Sequence, residues 1–253
     1  MFCHSGVSVV SGLLVRACHV LRSGNGGFVV NRKILPFVLG LVLAILASPA
    51  SFADTSLGLN IGTLGGGIEL AHAFGERLGF RVSANGLNYD RTQTHDSVDY
   101  DAKLQLESGQ LLLDWFPFAN NFRLSAGPMY NGNKLTLDGK PSAGGTFTFN
   151  GNTYSASGVA SVNGKVDFRK VAPYVGLGYG RPVGKGWSFA GDLGVLFHGT
   201  PRTSLSVTCG ASTPAATCTQ LQNDVAAEQN KLDGDMHKFR FYPVASIGLA
   251  YVF

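Results

Sequence analysis

Between residues 239 and 253 every odd position is apolar: Phe239, Phe241, Pro243, Ala245, Ile247, Leu249, Tyr251 and Phe253. The even positions, Arg240, Tyr242, Val244, Ser246, Gly248, Ala250 and Val252, are smaller and in places polar. A period of two places successive side chains on opposite faces of a strand, so each face meets a different environment. The pattern recurs: Leu57, Leu59 and Ile61 alternate with Gly58, Asn60 and Gly62, and Phe122, Leu124 and Ala126 with Arg123, Ser125 and Gly127. Val175, Leu177 and Tyr179 alternate with glycines, and Trp187, Phe189, Leu193, Val195 and Phe197 oppose Ser188, Ala190, Asp192, Gly194 and His198. A chain written this way folds as all-β.

Alternation is shared by soluble sandwiches and membrane barrels. The second face here is Gly, Ser and Ala with isolated charges, which suits a narrow lumen filled by side chains. Composition agrees, with 34 Gly, 17 Phe and 8 Tyr but only 14% charged residues. A disordered chain carries fewer aromatics and more charge. A helical membrane protein shows several apolar runs of roughly 20 residues.

One apolar run stands apart, "ILPFVLGLVLAILA" at 34–47. Arg32 and Lys33 precede it and "SPASFADTS" follows, with Ser51 and Ala53 small enough for cleavage before Asp54. That is the layout of a secretory signal peptide. Residues 1–29 are surplus to it, and translation is expected to begin near Val29 or Val30. The expected division is therefore a leader over 1–53, its signal peptide at 30–53 cleaved after Ala53, and one barrel over 54–253. The leader holds Arg16, Arg22, Arg32 and Lys33 and no acid, so the net charge of +4 belongs to it, leaving no basic face for nucleic acid.

Connections alternate in length. Short turns are expected at 75–79, 117–121 and 182–186, and long polar loops around 91–98, 137–162 and 208–236. A tight hairpin near Thr63 to Gly65 brings the count to eight, the even number that bacterial barrels require, with short turns and both termini periplasmic. The expected strands are 55–62, 66–74, 78–90, 99–116, 122–136, 165–181, 187–207 and 238–253. In "YDAKLQLESGQLLLDWF", Leu104 and Leu106 share the even face but Leu111, Leu113 and Trp115 the odd one, so a bulge is expected near Ser108 and Gly109. Phe74, Trp115, Phe116, Phe118, Phe122, Tyr179, Trp187, Phe189, Tyr251 and Phe253 fall near the short turns, as an interfacial girdle would.

The blocks "VDYDAKLQL", "LLLDWFPF", "FRLSAGPMYNGNK" and "VAPYVGLGYG" resemble small bacterial outer-membrane barrels of the OmpA, OmpX and OmpW type. The resemblance spans residues 54–253. It implies an eight-stranded up-and-down barrel in the outer membrane of a Gram-negative cell, bathed in lipid and inserted by the barrel assembly machinery. Phe253, Tyr251, Leu249 and Ile247 match the assembly signal of such proteins. Some members are porin-like, and a few eight-stranded barrels modify lipid A. A fold of this kind does not by itself assign an activity.

Seven charges are expected to point inward: Glu69, Arg81, Glu107, Asp114, Arg123, Asp192 and Arg240. Enclosed charges need partners, so the leading expectation is an ion-paired plug and a structural or surface-interaction role. The alternative is a narrow channel for ions or small apolar solutes. An enzyme is not expected: His72, His198 and Ser204 offer no placeable third partner for hydrolysis. Cys209 and Cys218, in "VTCGASTPAATC", are expected to form a disulfide outside the cytoplasm. Beyond them, Leu221, Val225 and Leu232 fall near one face of a short helix. No metal or cofactor motif occurs, since the "GLGYG" run opens no helix and is not a phosphate loop.

Overall fold

The computed structural model describes residues 54–95, 98–141 and 145–253, so the expected leader and its cleavage position lie outside the described residues. Thirteen strands and one long helix follow in order: β1 (Thr55–Gly62), β2 (Gly65–Phe74), β3 (Leu78–His95), β4 (Val98–Trp115), β5 (Phe122–Asn131), β6 (Lys134–Pro141), β7 (Thr146–Phe149), β8 (Asn152–Ser155), β9 (Val159–Asp167), β10 (Val171–Tyr179), β11 (Gly186–Leu196), β12 (Arg202–Cys209), α1 (Ala215–Met236) and β13 (Tyr242–Val252).

Eight of the strands form a ring. Antiparallel ladders run β1–β2, β2–β3, β3–β4, β4–β5, β5–β10, β10–β11 and β11–β13, and β13 returns to β1 through pairs such as Leu59↔Leu249. The period-two pattern dictates the two faces. Leu59, Ile61, Leu111, Leu113, Leu177, Phe189, Leu193 and Ile247 stand on the outer face and are exposed. Arg81, Asp114, Arg123, Ser125, Leu112, Met129 and Tyr174 turn inward and are buried. An apolar exterior around a polar interior reverses a soluble protein, and it is the arrangement a hydrocarbon solvent demands.

Five strands lie beyond the expected eight: β7 and β8 fall within the expected loop 137–162, β6 lies mostly in it, β9 begins in it, and β12 comes from a strand that divides. The expected strand 187–207 breaks at Gly199, which has φ 73°, so β11 stays in the ring while β12 leaves it. The expected strand 165–181 likewise divides into β9 and β10. Strands β6, β9 and β12 extend a sheet from the free half of β4, in the order β4-β6-β9-β12, and β7 and β8 make a separate hairpin.

The bulge expected at Ser108 and Gly109 does not occur. The β3–β4 register runs unbroken from Leu78↔Trp115 to His95↔Val98. What changes along β4 is the medium. Around Leu111, Leu113 and Trp115 the apolar face is the outer wall of the ring. Nearer the loop end, the opposite face carries Ala102 and packs with Leu135 and Leu137. That second face joins a conventional core in which Phe147, Phe149, Val159, Val162, Leu221 and Val225 are buried, with Tyr100, Leu205 and Val207 packed against them.

Helix α1 covers this outer sheet. At 22 residues it is longer than the expected short helix; Leu221 and Val225 are fully buried and Leu232 only partly. The Cys209–Cys218 disulfide, with Cα atoms 5.8 Å apart, ties its first turn to the end of β12. The edge of β12 is occupied from the helix, where the Leu205 amide donates to Gln229 Oε1 at 3.3 Å and the Thr203 hydroxyl donates to Asp233. Covering an edge in this way blocks stray strand pairing.

Candidate functional site: the ion-paired lumen

Within the ring, five of the seven sequence-selected charges converge. Arg81 lies on the inward face of β3, and its guanidinium donates in three directions: Nε to Asp114 Oδ2 at 2.6 Å, Nη1 to Glu69 Oε2 at 3.0 Å, and Nη2 to Asp192 Oδ1 at 2.9 Å. Nη2 also reaches Ser125 Oγ at 3.1 Å, and that hydroxyl donates to Asp114 Oδ1 at 2.6 Å. Arg123 on β5 donates from Nη2 to Asp192 Oδ2 at 2.8 Å and from Nη1 to the carbonyl of Gly180. Its Nε, 4.0 Å from Asp114 Oδ2, has no hydrogen-bond partner among the described residues. The side chains of Arg81, Arg123 and Asp114 are each 3% exposed. A guanidinium enclosed this way is tolerable only because its planar fork of donors meets several acceptors at once.

Gly178 makes room for the cluster: a Cβ there would sit 2.6 Å from Asp192 Oδ1 and 2.9 Å from Arg123 Nε. Strand alternation places glycine opposite the longest inward side chains, so the smallness of that face follows from what it holds.

Glu107 and Arg240 stand outside this cluster. Glu107 shares the odd face of β4 with Leu111 and Leu113, whereas the inward positions of β4 are even. Arg240 precedes β13, is exposed, and reaches His237 Nδ1 at 3.3 Å. The alternation was carried past the start of β13 at Arg240, and at Glu107 it was inverted by the bulge that does not occur.

Above the charges lies an apolar layer of Leu64, Leu112, Met129, Ala172, Tyr174, Leu196 and Val244. Leu64 comes from the tight β1–β2 turn, whose Thr63 is pinned to β13: its amide donates to the Ala245 carbonyl at 2.9 Å, and Tyr242 Oη donates to the Thr63 carbonyl at 2.6 Å. At the short-turn end the inward Phe116 is 1% exposed, so it is a floor and not part of the expected aromatic girdle. Arg181 spans beneath it, donating to the carbonyls of Ala119 and Gly75 at 3.0 Å each, with its guanidinium 5.5 Å from the Phe116 ring centre. One side chain thus joins all three short turns. Phe74, Trp115, Phe118, Tyr179, Trp187, Phe189 and Phe253 are exposed near the short turns.

Ser125, Tyr174, Arg181 and Leu64 were not singled out as lumen residues in the sequence, and Phe116 was assigned to the girdle. Ser125 was within reach, since it lies two residues from Arg123 on the same face. Leu64 and Arg181 sit in turns, where alternation carries no information.

The residues weighed for hydrolysis lie apart. His72 Nδ1 is 2.9 Å from Thr55 Oγ1, and the ring packs on Phe74 and Phe80. His198 is buried edge-on to Phe168, and its Nδ1 has no partner among the described residues. Ser204 pairs with Lys165 in the outer sheet. Among the described residues no group of three or more His, Cys, Asp or Glu side chains could hold a metal ion.

Ile247 and Phe253 are exposed on the outer face with Leu249, and Tyr251 packs between Trp187 and Phe253 at ring distances of 5.4 and 5.5 Å. The Phe253 amide donates to the Thr55 carbonyl at 3.0 Å.

The ring, its apolar exterior and its charged interior define the class of fold: an antiparallel eight-strand ring turned inside out, carrying an outer domain with a core of its own. No protein-family model matches the chain, and no curated protein sequence matches it. Its fold is similar to the crystal structure of CarO from Acinetobacter baumannii, with a TM-score of 0.54 and 23% identity over 79% of this chain and 98% of that one. A second crystal structure from that organism, of CarO2, gives a TM-score of 0.52 at 19% identity, covering 79% of this chain and 99% of the other. The likeness is one of fold.

Proposed function

We propose that this chain is a bacterial outer-membrane β-barrel protein with a structural or surface-interaction role, its short turns in the periplasm and the α1 domain outside the cell. The observation that carries this reading is the lumen filled at three successive levels: Phe116 over Arg181, the Arg81–Asp114–Asp192 cluster, and the apolar layer around Leu64. An eight-stranded barrel is just wide enough to be filled by side chains, and a filled barrel serves as a rigid mount. The loops and α1 then carry contact with whatever the surface meets. Ile247, Leu249, Tyr251 and Phe253 serve as the signal for assembly, and the exposed apolar band meets lipid. No catalytic residue or cofactor is assigned.

The test is a pair of measurements on purified protein. Folded barrels migrate differently on gels before and after boiling, and that shift is expected here. In planar lipid bilayers the protein is expected to be electrically silent. Steady single-channel conductance would instead support a narrow channel for ions or small solutes.

A further inference from the structure

Two aromatic pairs sit on the outside of the seam between β11 and β13. At the short-turn end Trp187 packs edge-on against Tyr251, and at the other end Phe197 packs edge-on against Phe241, each with ring centres 5.4 Å apart. Ten residues separate Trp187 from Phe197, and Phe241 from Tyr251. On a strand tilted near 40° that stretch rises about 26 Å, close to the apolar band of about 25 Å that an outer-membrane barrel presents. Phe197 and Phe241 are exposed, as is Phe239, so they mark the far edge of the band.

Immediately beyond that edge the charge is one-sided. Arg240 adjoins Phe241, and its carbonyl accepts from the Gly199 amide at 3.2 Å. Arg202 opens β12 three residues after Gly199. Arg169 and Lys170 lead into β10, whose Pro173 carbonyl accepts from the Phe197 amide at 3.0 Å. All four basic side chains are exposed, and among the described residues none has an ion-pair partner. The acids nearby are already engaged: Asp167, the cross-strand neighbour of Arg202, pairs with Lys165 at 2.7 Å, and Asp235 with Lys238 at 3.2 Å. Residues 54–253 hold equal numbers of basic and acidic side chains, so four unpaired cations on one rim are a local excess.

Exposed rings with cations directly beyond them complement an anionic amphiphile, whose acyl chains lie against the rings and whose phosphates meet the cations. Charge sets the number of phosphates. A phosphomonoester carries about −1.5 to −2, so two of them match four cations, whereas the one phosphodiester of an ordinary phospholipid leaves most of them unmatched. We propose that Arg169, Lys170, Arg202 and Arg240 bind one outer-leaflet glycolipid bearing two phosphate groups, its acyl chains running along Phe197 and Phe241. The guanidinium fork, which meets two phosphate oxygens at once, explains why three of the four are arginine. The assignment rests on the outer-membrane reading with the short turns in the periplasm, and it gives the surface-interaction role a partner in the membrane's own lipid.

The experiment is native mass spectrometry of the folded protein in detergent, titrated with bisphosphorylated lipid A, monophosphoryl lipid A or phosphatidylglycerol. Wild type is expected to retain one bisphosphorylated lipid A, with the monophosphoryl form about tenfold weaker and phosphatidylglycerol weaker still. Arg169→Gln with Arg240→Gln lowers the affinity for lipid A about 30-fold. Arg77→Gln with Lys185→Gln, which removes as many exposed cations from the short turns, leaves it unchanged. Each variant keeps its heat-shifted gel band, because every exchanged side chain is exposed. Equal retention of the three lipids would overturn the proposal, as would equal losses from the two pairs of substitutions. A folded wild type that retains no lipid A would overturn this inference alone. A wild type with no heat-shifted band would remove the barrel reading, and this inference with it.

Discussion

Arg81 is the residue on which the lumen depends most. Its guanidinium neutralises parts of three carboxylates on three other strands of the ring, β2, β4 and β11. Removing one partner of a buried ion pair leaves an uncompensated charge and costs about 3–5 kcal/mol, whereas replacing both partners with apolar groups costs far less. Arg81→Met is therefore expected to lower unfolding stability by about that amount, measured by urea titration in detergent. Adding Asp114→Leu should recover a large part of the loss. If the double variant were as unstable as the sum of the two single ones, the Arg81–Asp114 contact would carry no coupling.

Asp224 has a comparable position in the outer domain. It is buried on α1 and accepts hydrogen bonds from Tyr154, from Asn152 at 2.8 Å and from Asn150 at 3.3 Å, which stitch the β7–β8 hairpin to the helix, and from Gln220 of the same helix at 3.3 Å. Those donors, Tyr154 first, hold its carboxyl down at about 2. The Tyr154 phenol is pushed up to about 12, chiefly by loss of water and then by its bond to that carboxylate. A free Asp titrates at about 3.9. Because the folded value is depressed, the stabilisation is complete above pH 4 and is lost as pH falls from about 4 through 2. Ellipticity at 222 nm, dominated by α1, should fall across that window in wild type, and Asp224→Asn should remove the acid transition while lowering stability at neutral pH.

At the scale of elements, α1 is secured at its first turn by the Cys209–Cys218 bridge and at the edge of β12 by Gln229 and Asp233. A closed loop of this size stabilises by about 2.7 kcal/mol in the chain-entropy model. Cys209→Ser with Cys218→Ser should lower the melting of the 222 nm signal and speed proteolysis within α1. The ring, joined to α1 through other strands, should keep its heat-shifted gel band. A simultaneous loss of both signals would mean that ring and outer domain unfold as one unit.

The elements of the ring were legible because an apolar outer face and a small, partly polar inner face impose strict alternation. β1, β2, β11 and β13 begin or end within two residues of expectation wherever a turn is tight. The outer sheet was not legible for the same reason. Its strands alternate too, but their apolar face looks toward α1 and not toward lipid, and nothing in a period of two names the solvent. The inversion between Leu106 and Leu111 was the one visible sign, and a bulge explains it equally well until the register is seen. Turn residues such as Leu64 and Arg181 lie outside any periodic signal. Their roles follow only from where the ring brings the turns.

For the whole molecule, the wall of the ring is uneven. β1 and β2 turn back after 8 and 10 residues, whereas β3 and β4 run for 18 each. A lysine at the outward Leu193, well within the apolar band, should cost about 2–4 kcal/mol of insertion stability, as cations do near a bilayer midplane. The same exchange at the solvent-facing Thr208 of the outer sheet should cost almost nothing. Comparing folded yields in lipid vesicles checks both.

The unbroken β3–β4 ladder also sets a reach. Eighteen residues at about 3.4 Å each extend roughly 60 Å, and a tilt near 40° leaves about 45 Å along the membrane normal, against an apolar band of about 25 Å. With no register shift to act as a joint, the hairpin is stiff along its whole length, and on the outer-membrane reading proposed above its far end stands roughly 20 Å clear of the apolar band. The outer sheet that α1 covers continues from β4, so it is carried by this hairpin and not by a flexible loop.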